Sequence, residues 1–234
     1  MPAPLACLDL DGTLVDSRGP FAAAMRAALA DADLPDRPAE ALHRHLGPPL
    51  EETAALLVAQ DVADGRVAAS DESARAEALL EAYRARYREL GVPMTRPVDG
   101  IPDALDALRT AGWRLVIVTS KIAPAATAVL ERTGLGPRVE ALYAPAPEER
   151  HVPKERSLRR ALADHGADAT TPVVMVGDRH HDVDAAVACD VPAVGVTWAG
   201  DHRHELRTAG AVRILDLPAE LAPALADLDA RAAT

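Results

Sequence analysis

Residues 6–14 read Ala6-Cys7-Leu8-Asp9-Leu10-Asp11-Gly12-Thr13-Leu14. An apolar run ends there in two aspartates one residue apart, and a glycine and a threonine follow. Alternate side chains of a β-strand point the same way, so the carboxylates of Asp9 and Asp11 are expected side by side at a strand end. Two adjacent carboxylates repel each other unless a cation lies between them. Gly12 allows the chain to turn sharply directly after them.

Two other interpretations account for the same stretch. An Asp-Xaa-Asp-Gly string resembles a calcium-binding loop, but Gly12 comes one ligand too early and Pro20 stands where that loop needs a glutamate. The aspartates could also end a strand and begin a turn without any chemical role. This second interpretation stays open until the rest of the chain is considered.

The composition limits the class of protein. The 234 residues suffice for one large domain or for a core with a smaller insert. A net charge of −11 argues against binding to a nucleic-acid backbone. No apolar run approaches the length of a membrane span, and no signal peptide is visible. Cys7 and Cys189 lie in apolar surroundings and are expected as reduced core residues, so we expect a cytoplasmic protein.

Short apolar runs alternate with helical patterns along most of the chain. The runs cover residues 5–10, 114–119, 173–176 and 193–196, with weaker candidates at 141–143 and 212–215. The helical patterns between them cover residues 101–110, 123–133, 154–165 and 182–189. This alternation predicts an α/β fold with a doubly wound, Rossmann-like parallel sheet. Reactive residues of such sheets gather at the carboxyl ends of the strands.

The interval from about Ser17 to Leu90 lacks any strand-like run. Its helical patterns cover residues 20–32, 38–45, 50–60 and 71–90, separated by Gly47-Pro48-Pro49 and by Asp64-Gly65. We therefore predict an inserted helical domain over residues 17–91, within a core formed by residues 1–16 and 92–234.

Polar side chains follow the run at residues 114–118. Thr119, Ser120 and Lys121 come directly after it, and a hydroxyl at the start of a helix can donate to a phosphate group. An ordinary helix N-cap explains Thr119 or Ser120 equally well. Lys154 begins a later helical pattern, where the helix dipole disfavours a cation, and this unfavourable position indicates a specific role. The alternative is that Lys154 is a solvated surface residue, as lone lysines usually are.

A second group of carboxylates follows the run at residues 173–176. Residues 173–182 read VVMVGDRHHD, so Asp178 comes just after a buried strand and Asp182 four residues later. Carboxylates at strand ends suit a hard cation such as Mg²⁺, while Asp182 could also be an early acid of a helix. His180 and His181 could suggest zinc, but adjacent residues do not share a helix face and no cysteine lies near them. We expect the two histidines to be loop residues.

The order of these segments is more specific than any one of them. An Asp-Xaa-Asp strand end, a Thr-Ser strand end, a lysine and a Gly-Asp-Arg-Xaa-Xaa-Asp strand end follow one another on one alternating chain. This arrangement resembles the haloacid dehalogenase (HAD) superfamily in its phosphatase form, and the insert resembles its C1-type helical cap. Gly47-Pro48-Pro49-Leu50, Thr119-Ser120-Lys121 and Gly195-Val196-Thr197-Trp198 are similar to the phosphoglycolate phosphatase and 5′-nucleotidase-like branch.

The resemblance implies a catalytic and metal-binding role for four aspartates. Asp9 would attack phosphorus and become an aspartyl phosphate. Asp11 would protonate the leaving oxygen and then take a proton from the hydrolytic water. Mg²⁺ would be held by the Asp9 carboxylate, the Asp11 carbonyl and Asp178, with Asp182 in support.

The resemblance also implies phosphate- and substrate-binding residues. Thr119 and Lys154 would bind the phosphoryl group, assisted by Ser120 and by backbone donors near Gly12. Lys121 would face the substrate pocket.

Two stretches depart from the family pattern. Residues 144–153 read APAPEERHVP, where the family usually carries a small polar residue and an Asp-Gly turn. Arg150 and His151 in that stretch could contact a substrate or partner differently from the family. Asp184-Ala185-Ala186 stands where a glycine is frequent, a change that a helix tolerates.

Particular residues argue against several competing functions and leave one of them open. Dehalogenases of the superfamily lack the second acid, so Asp11 argues against them. A phosphonatase would need a lysine in the cap, and residues 16–91 contain none. A β-phosphoglucomutase-like phosphomutase shares the core motifs and stays open. A non-catalytic binding protein on this fold would be expected to lack a motif carboxylate, and none is missing.

We therefore expect a Mg²⁺-dependent phosphatase that acts on a small phosphomonoester and resembles phosphoglycolate phosphatase. A 5′-nucleotidase or a sugar-phosphate phosphatase is the alternative within the same fold. The expected partner is a small phosphorylated metabolite, without nucleic-acid polymers or membranes, and either a monomer or a homodimer fits the sequence. Five residues of the insert could reach an anionic or polar substrate and so determine specificity, although each also fits the surface of an amphipathic helix. They are Arg44, His45, Arg84, Arg86 and Tyr87.

Overall fold

A computed structural model describes residues 2–46, 50–149, 152–168 and 170–232. Gly47, Pro48 and Pro49, together with Arg150 and His151, were singled out in the sequence and lie outside the described residues. The chain divides into two compact units, Met1–Asp16 with Arg96–Thr234 and Ser17–Thr95. None of the described helices is both long and apolar enough to cross a membrane.

The first unit is built on a parallel sheet of six strands in the order β5-β4-β1-β6-β7-β8. Its strands, with the short pair β2 and β3, are β1 (Leu5–Leu8), β2 (Val15–Asp16), β3 (Arg96–Pro97), β4 (Arg114–Val118), β5 (Ala141–Tyr143), β6 (Val173–Gly177), β7 (Ala193–Val196) and β8 (Arg213–Leu215). Strand β1 lies between β4 and β6, and its Leu8 is in register with Ile117 and Val176. The doubly wound parallel sheet expected from the sequence is confirmed.

Helices of this unit pack against the sheet and bury it. They are α6 (Ile101–Thr110), α7 (Ala123–Thr133), α8 (Lys154–Asp164), α9 (His180–Ala188), α10 (Arg203–Ala209) and α11 (Leu221–Ala232). Cys7 of β1 and Met175 of β6 are fully buried in one cluster with Leu158 of α8 and Val183 of α9. Because every residue of β1 is buried, the strand reads as an unbroken apolar run in the sequence.

In the second unit the regular elements of the described residues are all helical. Its helices are α1 (Arg18–Asp31), α2 (Ala39–His43), α3 (Leu50–Ala63), α4 (Glu72–Arg86) and α5 (Val92–Met94), with a 3₁₀ turn at Ala69–Asp71 and a π-helical turn at Tyr87–Gly91. Helix α4 packs against α1 and α3. Phe21, Tyr83 and Tyr87 form a row of aromatic contacts with centroid separations of 5.6 Å. The fully buried Asp61 is paired with Arg37 at 2.9 Å and with Arg66 at 3.2 Å.

The second unit ends four residues later than the sequence predicts. Residues 92–95 belong to it, because the helical path continues through the π-helical turn into α5, and the Thr95 hydroxyl donates to the Gly91 carbonyl at 2.9 Å.

Two of the five candidate specificity residues of this unit form ion pairs within it. Arg84 is paired with Glu51 at 2.9 Å, and Arg86 is paired with Asp31 at 2.6 Å. Of the other three candidates, Tyr87 and His45 are buried and Arg44 is exposed.

Candidate active site

The chain turns sharply where β1 ends. The Asp9 amide donates to the Val176 carbonyl at 2.9 Å, which continues the pairing of β1 with β6 by one residue. Gly12 has a φ of +78°, which favours glycine, and its amide donates to the Val15 carbonyl at 2.9 Å. The turn leaves the carboxylate of Asp9 almost fully buried.

Two glycines leave room for two carboxylates. A Cβ atom on Gly12 would lie 2.3 Å from Oδ2 of Asp178, and one on Gly177 would lie 2.1 Å from Cγ of Asp182. Because real Cβ contacts do not come so close, each glycine is required by the carboxylate beside it. The glycines of both strand-end motifs therefore make a close approach of carboxylates possible.

Asp9, Asp178 and Asp182 form a buried carboxylate cluster. One oxygen from each lies within 4.8 Å of the others, and the three residues are between 2% and 6% exposed. Burial raises the pKa of Asp9 to about 7 even though Lys154 opposes the shift. Burial, together with the charges of Asp182 and Asp9, raises the pKa of Asp178 well above its ordinary value. The raised pKa values mean that the three buried carboxylates do not readily carry three negative charges. A divalent cation such as Mg²⁺ prefers oxygen donors of this kind and would compensate that charge, so the cluster fits such an ion.

Lys154 contributes an ammonium group to this cluster. It is the first residue of α8, and its Nζ lies 2.6 Å from Oδ1 of Asp9 and also contacts Oδ1 of Asp182. Its side chain is 6% exposed. Burial alone would lower the pKa of Lys154, but the carboxylates of Asp182 and Asp9 raise it above its ordinary value. The lysine is thus held as a cation despite its place at a helix N-terminus.

The segment after β4 supplies a hydroxyl and a second lysine. Thr119 is buried, and its amide donates to the Tyr143 carbonyl of β5 at 3.0 Å. Its hydroxyl oxygen accepts from the Lys121 amide at 3.1 Å. The Lys121 ammonium lies 2.9 Å from Oδ2 of Asp11. Ser120, which separates Thr119 from Lys121 in the sequence, is partly buried. The structure therefore brings the segment after β4 into contact with the aspartate motif after β1.

Helix α9 begins two residues earlier than the sequence predicts. The expectation that His180 and His181 lie in a loop is wrong, because His180 is the first helical residue and its amide donates to Glu205 at 2.8 Å. The Arg179 amide donates to the Asp182 carboxylate at 3.1 Å, so this carboxylate caps the backbone directly before the helix.

The first turn of α9 also brings the two imidazole rings together. The ring centroids of His180 and His181 lie 3.7 Å apart, and Nδ1 of His180 lies 3.0 Å from Asp184. Donor atoms of these three residues come within 4.8 Å of one another.

Two supporting residues are missed by reasoning from the sequence. Glu205 of α10 is paired with Arg179 at 2.9 Å across 26 positions of the chain. The Trp198 indole donates to the Thr13 carbonyl at 2.9 Å and so ties the segment after β7 to the turn after β1. Only the Gly195–Trp198 motif hinted at this second contact, and no local pattern indicates the first.

The family model of haloacid dehalogenase-like hydrolases matches residues 7–196. The chain belongs to this family. It is 31% identical to "Probable phosphatase IndB" of Dickeya dadantii over 93% of this chain and 91% of that protein. It is 36% identical to "Tyrosine-protein kinase PtkA" of Mycobacterium tuberculosis, covering 83% of this chain but 62% of that protein.

A solved structure supports the same placement. A crystal structure described as a predicted phosphatase from Clostridium acetobutylicum superposes with a TM-score of 0.82 at 26% identity, covering 97% of this chain and 100% of that one. Through its family, the chain is an enzyme of the phosphoric monoester hydrolase type.

Proposed function

We propose that the chain is a Mg²⁺-dependent phosphatase that hydrolyses a small phosphomonoester through an aspartyl phosphate on Asp9. The observation that carries the proposal is the Lys154 ammonium, 2.6 Å from Asp9 and in contact with Asp182 inside a buried carboxylate cluster. A nucleophilic carboxylate, a buried cation and oxygen donors for a metal are the groups that attack on a phosphate dianion requires.

The electrostatic problem of the reaction explains why these groups lie together. A carboxylate and a phosphoryl oxygen repel by about 1 kcal/mol per unit pair at 4 Å in water and by about 4 kcal/mol near a protein surface. Lys154 offsets this repulsion from within hydrogen-bond distance of Asp9. We propose that Lys154 and the Thr119 hydroxyl also hold the phosphoryl oxygens, with Ser120 and backbone donors near Gly12.

We propose that Asp9, Asp178 and the carbonyl of Asp11 hold Mg²⁺, with Asp182 in support. The buried oxygen atoms of the three carboxylates fit such an ion by chemistry and spacing. When bound, Mg²⁺ supplies charge that stabilises the transferring phosphoryl group. The raised pKa values of Asp9 and Asp178 indicate how unfavourable the cluster is with protein groups alone.

Asp11 is the proposed acid and base. It lies two residues beyond Asp9 and is less deeply buried, with a side chain 18% exposed. It would give a proton to the leaving oxygen and later accept one from the water that hydrolyses the aspartyl phosphate. An ester needs this proton, whereas a halide leaving group does not.

We further propose that the helical unit, residues 17–95, acts as the family's C1-type cap and takes part in substrate selection. A phosphoglycolate-like ester is the preferred candidate substrate, with a nucleoside monophosphate or a sugar phosphate as alternatives. A phosphomutase of the β-phosphoglucomutase kind is the alternative reaction. A cytoplasmic location stays a prediction from the sequence.

The nucleophile is tested by Asp9→Asn with p-nitrophenyl phosphate and Mg²⁺. The wild type should release p-nitrophenol and inorganic phosphate in equal amounts, and the variant should lose activity by at least about a thousandfold, because an amide cannot form the aspartyl phosphate. Asp103→Asn, on the exposed side of α6, is the matched control and should retain activity. Equal activity of wild type and Asp9→Asn would refute the nucleophile. Phosphoryl transfer to an added sugar phosphate without phosphate release would favour the phosphomutase.

A further inference from the structure

Two histidines and an aspartate come together at the start of α9. Nδ1 of His180 lies 3.0 Å from Oδ2 of Asp184, and the ring centroids of His180 and His181 lie 3.7 Å apart. One possible ligand atom from each of the three residues lies within 4.8 Å of the others. The neighbouring histidines therefore meet in the structure, although adjacent residues of a helix ordinarily point in different directions.

The spacing of His180 and Asp184 suits a chelate. Residues i and i+4 of a helix lie on the same face, and two zinc-binding histidines of metalloproteases have this spacing. Donor atoms about 2.1 Å from one ion, at the angles of an octahedral or tetrahedral site, lie about 3.0–3.4 Å apart. The 3.0 Å between Nδ1 and Oδ2 falls in this range. An ion can therefore take the place of the hydrogen between these atoms when the ring proton of His180 is on Nε2.

One ring nitrogen of His181 lacks a hydrogen-bond partner among the described residues. Its Nε2 is buried, although the residue as a whole is only partly buried. Buried polar atoms are normally bonded, and a bound ion or water is one way in which such an atom is satisfied. The ring of His181 can thus turn towards an ion without breaking a hydrogen bond at Nε2.

Asp182 lies between these residues in the sequence but belongs to the carboxylate cluster. Its carboxylate contacts the Lys154 ammonium and accepts from the Arg179 amide at 3.1 Å. The Arg179 guanidinium is paired with Glu205 at 2.9 Å, which compensates its positive charge. The helix dipole disfavours a cation at this end of α9, whereas the Asp184 carboxylate carries the charge that attracts one. The two histidines and Asp184 form a donor set that does not require Asp182.

We propose that His180, His181 and Asp184 form a second metal site, the histidine site, which takes a divalent ion such as Zn²⁺. Two imidazoles and one carboxylate are the protein ligands of zinc sites that keep a fourth position for water. Imidazole nitrogen binds Zn²⁺, Ni²⁺ and Cu²⁺ well, whereas Mg²⁺ prefers oxygen donors. The histidine site and the carboxylate cluster therefore differ in the ion that each prefers. Binding at the histidine site does not depend on the proposed phosphatase reaction.

Calorimetric titration with ZnCl₂ at about pH 7.5, in excess Mg²⁺, measures binding at the histidine site. The wild type should bind one equivalent of Zn²⁺ there. His180→Ala, His181→Ala and Asp184→Asn should each weaken this binding at least about tenfold, because the loss of a residue that only orients a metal ligand already has an effect of that size. Asp178→Asn should keep the wild-type affinity for Zn²⁺, since it alters only the carboxylate cluster.

His204→Ala is the matched control, because His204 is an exposed histidine of the neighbouring helix α10. Its affinity for Zn²⁺ should equal that of the wild type. Circular dichroism shows that each variant is folded. Long-range ¹H–¹⁵N spectra of the unsubstituted protein give a second measurement: one equivalent of Zn²⁺ should shift the ring nitrogens of two of the eight histidines.

The outcomes assign the ion to one place. The histidine site is refuted if the wild type does not bind Zn²⁺, or if the affinity is unchanged in His180→Ala and His181→Ala. Loss of Zn²⁺ binding in Asp178→Asn would also refute it, because the ion would then lie in the carboxylate cluster. Equal weakening in His204→Ala would show an adventitious ion only. Hydrolysis of p-nitrophenyl phosphate tests Asp9 separately, so the phosphatase stands or falls without this result.

Discussion

Asp9 and Lys154 show why the centre is poised for an anion and a metal. The carboxylate is almost fully buried, and burial raises its pKa to about 7 although the ammonium of Lys154 lies at 2.6 Å. One lysine does not balance the charge of three buried carboxylates, so the proton or a cation has to supply the rest. Protons and Mg²⁺ therefore compete for the same oxygen atoms.

This competition predicts a pH dependence for stabilisation by Mg²⁺. Asp9 has an ordinary pKa of 3.8 and a folded-state pKa of about 7. A raised pKa means that the folded state binds the proton more tightly, so its contribution is fully present below about pH 4 and is lost as the pH rises through about 7. Above pH 7 the deprotonated oxygens are available to the metal. Saturating Mg²⁺ should raise the free energy of unfolding by about 2–3 kcal/mol at pH 8 and by less than half of that at pH 5.5.

Urea unfolding with and without Mg²⁺ at the two pH values measures this effect. Asp178→Asn should abolish most of the increment at pH 8, because it removes one of the proposed ligands. Asp103→Asn should keep the increment. An increment that is equal at pH 5.5 and pH 8 would contradict competition between protons and metal.

Single residues of the site were predictable to different degrees. Asp9, Asp11 and Asp178 follow apolar runs directly, so local sequence indicates that they lie at strand ends. Lys154 contacts Asp9 although the two residues are 145 positions apart in the sequence. Its role was predicted only from the family resemblance, and the proline-rich stretch before it departs from the family pattern. The pairing of Lys121 with Asp11 had no local signal, because ion pairs between distant segments depend on how the strands are ordered in the sheet.

At the scale of elements, the buried strands were the most predictable. Strand β7 has the predicted bounds, and β4 and β6 differ from them by one residue. Apolar runs identify such strands because both faces of the sheet are covered. The two-residue strands β2 and β3 carry no apolar run, since their pairing is set by where the chain leaves and re-enters the first unit. The start of α9 was missed because Glu205, distant in sequence, bonds its first amide.

The junction between β6 and α9 predicts an intolerance of any side chain at residue 177. Gly177→Ala would place a Cβ 2.1 Å from Cγ of Asp182, so the strand end or the carboxylate must move. We expect a loss of about 2–4 kcal/mol in the free energy of unfolding, as for other overpacked core sites, and a loss of Mg²⁺-dependent stabilisation. Urea unfolding with and without Mg²⁺ measures both.

Gly19→Ala is the control for this substitution. Nothing lies within 4 Å of a Cβ at Gly19, which is the second residue of α1, so the change should be neutral or stabilising by up to about 1 kcal/mol. Wild-type stability in Gly177→Ala would show that the two carboxylates of this motif are not held as closely as the structure places them.

At the scale of the whole molecule, the first unit is organised around β1. This strand joins the two halves of the sheet, and it leads directly into the motif of Asp9 and Asp11. The order of the strands could not be read from the sequence, because several orders satisfy the same alternation of strands and helices. It is the order β4-β1-β6 that brings the ends of the three motif-bearing strands together.

Cys7 in the middle of β1 therefore reports on the opening of the sheet. Its side chain is fully buried, and burial raises its pKa to about 12, so the reactive thiolate is scarce as well as inaccessible. Cys189 is only partly buried. In a Cys189→Ser variant, which isolates Cys7, labelling by a thiol reagent at pH 8 should be at least about a hundredfold slower than in the unfolded chain.

The rate should rise with urea in parallel with loss of the helical circular dichroism signal, because Cys7 becomes accessible only when β1 separates from β4 and β6. Adding Mg²⁺ at pH 8 should slow the labelling further, since an ion held by the carboxylates after β1 and β6 opposes that separation. The Cys7→Ser variant, in which Cys189 remains, should be labelled faster than Cys189→Ser in the absence of urea. Rapid labelling of Cys7 in a protein with an intact circular dichroism spectrum would contradict a closed sheet, and with it the assumption that the carboxylate cluster is held rigidly at its edge.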